Sequence, residues 1–490
     1  MKKIKILLAS LVLAAFAFQG CEDMDDHAVP VNDFIWKGLN LYYLWQENVP
    51  ALADDRFANQ EQLNNFLESY GSPESLFESL LYRKYPDGTN ADRFSVMFPD
   101  FRVLENVLQG VATSNGMDYG LVYADDAKVN VLGYVRYVLP NTDAAAKGIK
   151  RGDLIYAVNG TTLNVSNYQS LLSQQSYTVS LATSVDGVVT PTGVDVALTK
   201  AEYAENPVYK VSVTEVGGKK IGYLMYNGFY GNYDAELNNA FAALKSEGAT
   251  ELVLDLRYNG GGSVRTATYL ASMITGQFTG QLFAKQQWNS KLQAYYESNN
   301  PAALQNLFSD NLSNGAAINH LNLSRVYIIA TGDTASASEL VINCLTPYIN
   351  VVQVGELTVG KNVGSVTLYD SPDFSKKDID GSHRYAMQPI VIRTVNKDGF
   401  GEYSAGIKPT PGFEIEESVR NMGVLGSIDE PLFAKAIAGI NGGSGRYTTQ
   451  KSDGKSLKKF SNIKSMRRFG TDMYLEEMPE GSLNLLKQLQ

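Results

Sequence analysis

The chain has 490 residues, 44% of them hydrophobic and 19% charged, which suits about two or three domains with buried cores. A formal net charge of −10 argues against nucleic-acid binding and offers no attraction to an anionic membrane surface. With only two cysteines, and with His27, His320 and His383 scattered, a Cys-x-x-Cys pair and a Cys/His zinc site are excluded, and no metal is expected.

In chain order, Lys2, Lys3 and Lys5 precede an apolar run and small residues before Cys21. That pattern predicts a secretory signal peptide over 1–20, because the apolar run is too short to span a membrane. The stretch "FQGC" resembles a bacterial lipobox, with Cys21 as the lipidated residue. The acids after it resemble the surface-export tag of Bacteroidetes lipoproteins. The plain alternative is a signal peptide with an incidental cysteine. The expected address is the cell envelope, as a periplasmic or outer-membrane lipoprotein that meets the membrane only through its anchor. Cys344, inside "ELVINCL", is expected to be a buried small hydrophobe.

After a linker at 21–32, "DFIWKGLNLYYLW" predicts an amphipathic helix with an aromatic face, stopped by Pro50. "SPESLFESLLY" predicts a helix with Ser72 as N-cap and Pro73 in its first turn. Residues 33–106 therefore read as an N-terminal helical domain whose aromatics pack a core. Residues 107–200 change to short strands and turns, with "DAAAKGI" as a brief helix closed by Gly148. From 201 to 441 strands and helices alternate, which predicts parallel βαβ units with a site at the strand C-terminal ends. Three loops, "YNGGG", "GDTASAS" and "GELTVGK", fall at such ends. The remainder, 442–490, carries a basic run followed by acids and is expected to be a solvated extension.

"GELTVGKN" contains most of a phosphate-binding loop, with Gly355, Gly360 and Lys361 in place. Asn362 stands where the magnesium-ligating hydroxyl belongs, and the following residues read as a strand and not as a helix. An extracytoplasmic address also lacks nucleotide, so this reading is rejected. "YNGGGSVR" likewise fails as a dinucleotide fingerprint, because Arg265 takes the final glycine position.

"TGDTASASEL" places Ser336 at the tip of a strand-to-helix turn, with Ala337 directly after it. A serine there projects its hydroxyl beside the next backbone amides, the geometry a nucleophile and an oxyanion hole require. None of these loops contains a histidine to act as base. A neutral lysine serves instead if desolvation lowers its pKa to about 7–8. Ser338 and Ser263 are rival serines.

The set "GYLMYNGF", "LVLDLRYNGGG", "TASASELVINCL", "VVQVGELTVGKNVGSV" and "GIKPTPGFEIEE" resembles the C-terminal processing peptidases, the tail-specific serine proteases. The resemblance implies an α/β (α+β) core of ClpP/crotonase-like βαβ type over 201–441, with an inserted PDZ-like β-rich domain at 107–200 and an N-terminal helical cap. It implies Ser336 as nucleophile and, 25 residues later, Lys361 as base. The oxyanion hole would use Gly261, or alternatively Gly262, together with Ala337. Tyr119, Gly120 and Leu121 would lie in the peptide-binding loop of the PDZ-like domain. The family often has a glutamine four residues after the lysine; Ser365 stands there instead and is the expected lysine-orienting group. The implied activity is a Ser/Lys endopeptidase that needs no cofactor and acts on extracytoplasmic proteins or peptides, recognising C-terminal tails. The alternative is a catalytically weak or inactive peptide-binding scaffold lipoprotein.

Overall fold

The computed structural model describes residues 30–185, 188–420, 422–443, 457–461 and 470–479. Four helices form the N-terminal region: α1 (Pro30–Tyr42), α2 (Gln60–Leu67), α3 (Pro73–Ser79) and α4 (Phe101–Leu108). Ile35, Leu39 and Tyr42 recur at helical spacing on α1 and are fully buried, so the aromatic face is core packing. Ser72 caps α3 by accepting the Ser75 amide. Side chain-to-backbone hydrogen bonds in both directions tie this region to the rest of the chain: Asn289 Nδ2 donates to the Leu41 carbonyl at 2.8 Å, and Arg93 Nη2 to the Gly360 carbonyl at 2.7 Å.

A β-rich unit follows. Its entry and exit strands, β1 (Val111–Ser114) and β7 (Ala201–Ala204), pair with each other and hold its ends together. Between them run β2 (Met117–Tyr123), β3 (Val131–Val138), β4 (Leu154–Val158), β5 (Ser176–Val185) and β6 (Val188–Thr199), with short helices α5 (Asp143–Ala146) and α6 (Tyr168–Ser173). These strands pair antiparallel in the order β2-β3-β4-β5-β6.

The largest core is organised on a five-stranded sheet built from β8 (Val208–Val216), β9 (Lys219–Tyr226), β10 (Glu251–Asp255), β14 (Arg325–Ala330) and β15 (Asn350–Gly355), in that order. All its pairs are parallel except the β8–β9 hairpin. Both faces are covered, so its strands alternate between two apolar clusters and not between core and water. Leu224, Leu254 and Ile328 pack against α7 (Asp234–Ser246), α8 (Val264–Thr275) and α10 (Ala337–Leu345). Their neighbours Tyr223, Val253 and Ile329 pack against α11 (Pro431–Ile440) on the other face. The crossover between α8 and β14 holds α9 (Ser290–Asn299). Cys344 of α10 is buried and unpaired as a thiol, and burial pushes it well above the ordinary thiol range.

A second sheet has six strands: β11 (Gly262–Ser263), β12 (Leu282–Gln287), β13 (Gln305–Leu307), β16 (Val363–Val366), β17 (Ile390–Val395) and β19 (Met473–Leu475). Its spatial order is β11-β19-β16-β17-β12-β13. The extension expected to be solvated is thus partly built into the fold. A second piece, β18 (Lys459–Ser461), pairs antiparallel with the outer edge of β2. The apolar residues Phe460, Met473, Tyr474 and Leu475 give these pieces something to bury, which the charge pattern of the extension conceals. Among the described residues no helix is long and apolar enough to cross a membrane.

Candidate active site

β14 ends at Ala330, and the chain turns through 331–335 into α10 with Ser336 as its N-cap residue. Ser336 has φ 65° and ψ −116°, a region that a side chain enters only under strain of about 1–3 kcal/mol. The turn is held by contacts on every side. Thr334 Oγ1 donates to the Leu256 carbonyl at 2.8 Å, and the Ala335 amide to the Asn259 carbonyl at 3.1 Å. The Ser336 amide donates to Glu339 Oε2 at 2.8 Å. The strained turn leaves the Ser336 hydroxyl buried with no hydrogen-bond partner among the described residues. Its rivals are occupied: Ser338 Oγ donates to the Asn259 carbonyl at 3.1 Å, and Ser263 Oγ caps α8 and donates to Glu476.

Glu339 binds the second loop as well. Its Oε1 accepts the Gly360 amide at 2.7 Å and the Thr358 hydroxyl; its Oε2 accepts the Lys361 amide at 2.8 Å. One buried carboxylate therefore fixes the backbones of both Ser336 and Lys361. Burial raises its pKa, and the hydroxyl and amide donors oppose that rise. Gly360 has φ 83°, and a Cβ there would lie 2.3 Å from the Ser404 carbonyl oxygen, so this approach requires glycine. Glu339 was not singled out from sequence, although Ser-x-x-Glu at a strand-to-helix turn is capping-box spacing.

The Lys361 side chain is fully buried, with Nζ 4.4 Å from the centre of the Phe94 ring. Nζ donates to the Thr471 carbonyl and to Asp472 Oδ1, each at 2.8 Å. Burial holds the ammonium below the ordinary lysine range, with Asp472 pulling the other way. Burial likewise raises the Asp472 carboxyl, against the pull of Lys361. Ser365, expected to orient the amine, instead points its hydroxyl at the Met473 carbonyl, 3.3 Å away. Asp472 occupies the role of lysine partner, supplied from outside the loop.

The glycine loop approaches Ser336 directly. A Cβ on Gly261 would lie 2.6 Å from Ser336 Cβ, 2.9 Å from the Ala337 amide nitrogen and 2.4 Å from the Asp472 carbonyl oxygen. Gly261, at φ 111°, therefore brings a backbone against the serine that no side chain would permit. Its own amide donates to Asn259 Oδ1 at 2.9 Å, so in this state it is engaged. Gly262 lies in register with Met473. A cavity of about 200 Å³ opens beside the loop, lined by Val111, Tyr230, Gly261, Asp472 and Tyr474 among others.

Tyr119, Gly120 and Leu121, expected in a loop, lie inside β2. The β-branched and aromatic content of "DYGLVY", bounded by turn residues, is the strand signal there. β2 pairs with β3 on one side and β18 on the other, and a Cβ on Gly120 would lie 2.4 Å from the Tyr134 ring. The β-rich unit reaches the site through Arg136 of β3, whose Nη2 pairs with Asp333 at 2.6 Å, three residues before Ser336. Cys21 lies outside the described residues. His383, scattered in sequence, meets Asp370 at 2.8 Å and lies near Asp380.

Residues 220–375 match peptidase family S41, and residues 30–96 match the peptidase S41 N-terminal domain. The carboxyl-terminal-processing protease of Picosynechococcus is 30% identical over 268 residues, 54% of this chain and 58% of that protein. The chloroplastic carboxyl-terminal-processing peptidase 1 of Arabidopsis thaliana is 29% identical over 244 residues, 49% of this chain and 45% of that protein. The chain thus spans about half the length of the curated relatives it matches. A crystal structure of a candidate S41 protease from Bacteroides fragilis covers 84% of this chain and 97% of its own, with a TM-score of 0.65 and 26% identity.

Proposed function

As the chain belongs to peptidase family S41, we propose that it is a serine endopeptidase with Ser336 as nucleophile and Lys361 as general base. The observation that carries this reading is the Ser336 hydroxyl itself: buried, unpartnered and held at positive φ beside the Gly261 loop. Leaving a buried hydroxyl unpaired costs about 1–3 kcal/mol, on top of the backbone strain, and a reactive role accounts for both.

In the reaction, neutral Lys361 accepts the Ser336 proton as Oγ attacks the scissile carbonyl carbon. The negative oxygen of the tetrahedral intermediate is held by the Ala337 amide and an amide of the Gly261–Gly262 loop. The C–N bond then breaks, and the departing amine takes the proton from the Lys361 ammonium. Water attacks the acyl-serine and gives a proton to Lys361; the acyl C–O bond then breaks, Lys361 returns that proton to Ser336 Oγ, and the acid product leaves with serine and neutral lysine restored. Desolvation of Lys361 supports the neutral amine this cycle requires. Glu339 acts as a positioning residue, since it touches both backbones and neither reacting atom.

The substrate is an extended polypeptide met outside the cytoplasm, with the chain anchored through lipidated Cys21. The outer edge of β2, at Tyr119, Gly120 and Leu121, is the strand-addition site of the PDZ-like unit at 107–200. A second reading, a peptide-binding scaffold, draws on the Lys361–Asp472 pair, which engages the proposed base in this state.

Incubation with an unfolded protein, followed by mass spectrometry of the products, separates the two. Cleavage that disappears in both Ser336→Ala and Lys361→Ala is expected. Binding of the polypeptide with no new termini would select the scaffold.

A further inference from the structure

Two pieces of the C-terminal extension sit where the proposed reaction would place its substrate. β19 runs parallel between β11 and β16, with Gly262 opposite Met473, Ser365 opposite Tyr474 and Val366 opposite Leu475. The residue that enters this strand, Asp472, sets its carbonyl oxygen beside Gly261, at the same point that Ser336 Cβ and the Ala337 amide approach. Its carboxylate meets Lys361. A peptide carbonyl of the chain itself therefore borders the Gly261 loop on the side that Ser336 approaches, and the side chain of the same residue engages the base. Met473, Tyr474 and Leu475 are all buried, so the strand is seated.

The second piece fills the other peptide site. β18 extends the β2 edge antiparallel, with Lys459 opposite Val122 and Ser461 opposite Leu121. Phe460 packs edge-on against Tyr123 of β2 at 5.1 Å and against Tyr168 of α6 at 5.4 Å. Lys459 Nζ adds an ion pair to Glu356 at 2.7 Å, in the loop that leads to Lys361. An extended segment on a sheet edge with one side chain in an apolar notch is the form in which such a unit captures a peptide.

We propose that residues 457–461 and 470–479 act as an intramolecular pseudosubstrate, closing both the β2 edge and the Ser336 cleft until an external polypeptide displaces them. The proposal rests on the peptidase reading. Asp472 is the inhibitory group: its carboxylate favours the charged form of Lys361, which accepts no proton, and its carbonyl crowds the Gly261 loop beside Ser336. Because the segment belongs to the same chain, its effective concentration is high, and displacement requires a partner that engages the β2 edge as well as the cleft. The displacing ligand is then an extended peptide that offers an aromatic side chain to Tyr123 and Tyr168 and a run of large apolar residues to the cleft.

The test uses the full chain and the rate at which an aryl fluorophosphonate labels Ser336. Lys459 and Val122 form a non-hydrogen-bonded antiparallel pair, since the Tyr123 amide donates to the Lys458 carbonyl. Their Cα atoms then approach to about 4.5 Å, within disulfide range. The V122C/K459C chain is expected to close a disulfide on oxidation and to label more slowly oxidised than reduced. Met473→Asp, which sets a charge in the buried strand, is expected to label at least tenfold faster than wild type. Failure of the cysteines to pair overturns the proposal, as does a folded Met473→Asp chain that labels no faster. If the disulfide closes but no form labels at all, the segment docks and the nucleophile reading of Ser336 is what fails.

Discussion

Lys361 Nζ and Asp472 Oδ1 form a buried ion pair 2.8 Å long across 111 residues of chain. The pair joins the base of the proposed dyad to the C-terminal extension. It also bears on the protonation state of the site: burial, the larger effect, favours the amine, and an anion at that distance favours the ammonium.

Replacing the anion has a signed consequence for pH. Burial alone lowers the Lys361 pKa, and Asp472 offsets that effect. In Asp472→Ala the offset is removed, so the amine becomes neutral at lower pH. The rising limb of kcat/KM against pH is expected to move to lower pH in the variant. An unmoved limb would assign that titration to a group other than Lys361.

The strain at Ser336 separates stability from activity. Glycine adopts φ 65° without penalty and leaves no hydroxyl buried without a partner. Ser336→Gly is therefore expected to be inactive and more stable than wild type by about 1–3 kcal/mol. Urea unfolding midpoints of the two chains measure the difference; equal or lower stability in the variant would contradict it.

Glu339 makes the opposite prediction. Its carboxylate accepts the Ser336, Gly360 and Lys361 amides and the Thr358 hydroxyl. Glu339→Ala strands several buried donors, each costing about 1–3 kcal/mol, so a loss of several kcal/mol is expected. Glu339→Gln keeps the acceptor oxygen for part of this set. It should recover more of the stability than of kcat, with KM little changed, since a positioning residue acts on the reacting geometry. Thermal unfolding beside steady-state kinetics reads both.

Asp234, at the start of α7, gives a pH test away from the dyad. Burial, helped by Glu476 and Glu236, pushes its carboxyl up to about 6, against the Thr266 hydrogen bond and Arg265. One oxygen accepts from Thr266 Oγ1 at 2.6 Å, and the other has no partner among the described residues. A raised folded-state value means that its contribution is fully present below the unfolded value near 3.9 and is lost as pH rises through about 6. Stability should fall by up to about 3 kcal/mol across that window. Asp234→Asn removes the titrating proton, keeps the Thr266 contact and should flatten this part of the curve. Denaturant unfolding between pH 4 and 7 decides.

Most of the fold was legible in the sequence because its signals are local. Ser72 with Pro73 marked a helix start, and apolar strands alternating with helices marked a doubly covered parallel sheet. The placement of Ser336 and Lys361 in loops of small residues after core strands was legible for the same reason. The partner of Lys361 was not. Asp472 reaches it from the far end of the chain, beyond a charged run, and no periodicity reports a pairing of three residues with strands more than 100 positions away. Ser365 had the right offset from the lysine, but it lies within β16, and its hydroxyl points at the Met473 carbonyl. Tyr119 to Leu121 were assigned to a loop, but they lie within the strand that β18 extends.

The most direct measurement compares three full chains on one unfolded protein substrate: Asp472→Ala, Asp472→Ala with Ser336→Ala, and Asp472→Ala with Lys361→Ala. With the competing carboxylate gone, the single variant should generate new peptide termini, and both double variants should lose at least 10³-fold in rate. Equal rates in all three, or no cleavage by the single variant while it still binds the polypeptide, would contradict a Ser336–Lys361 peptidase.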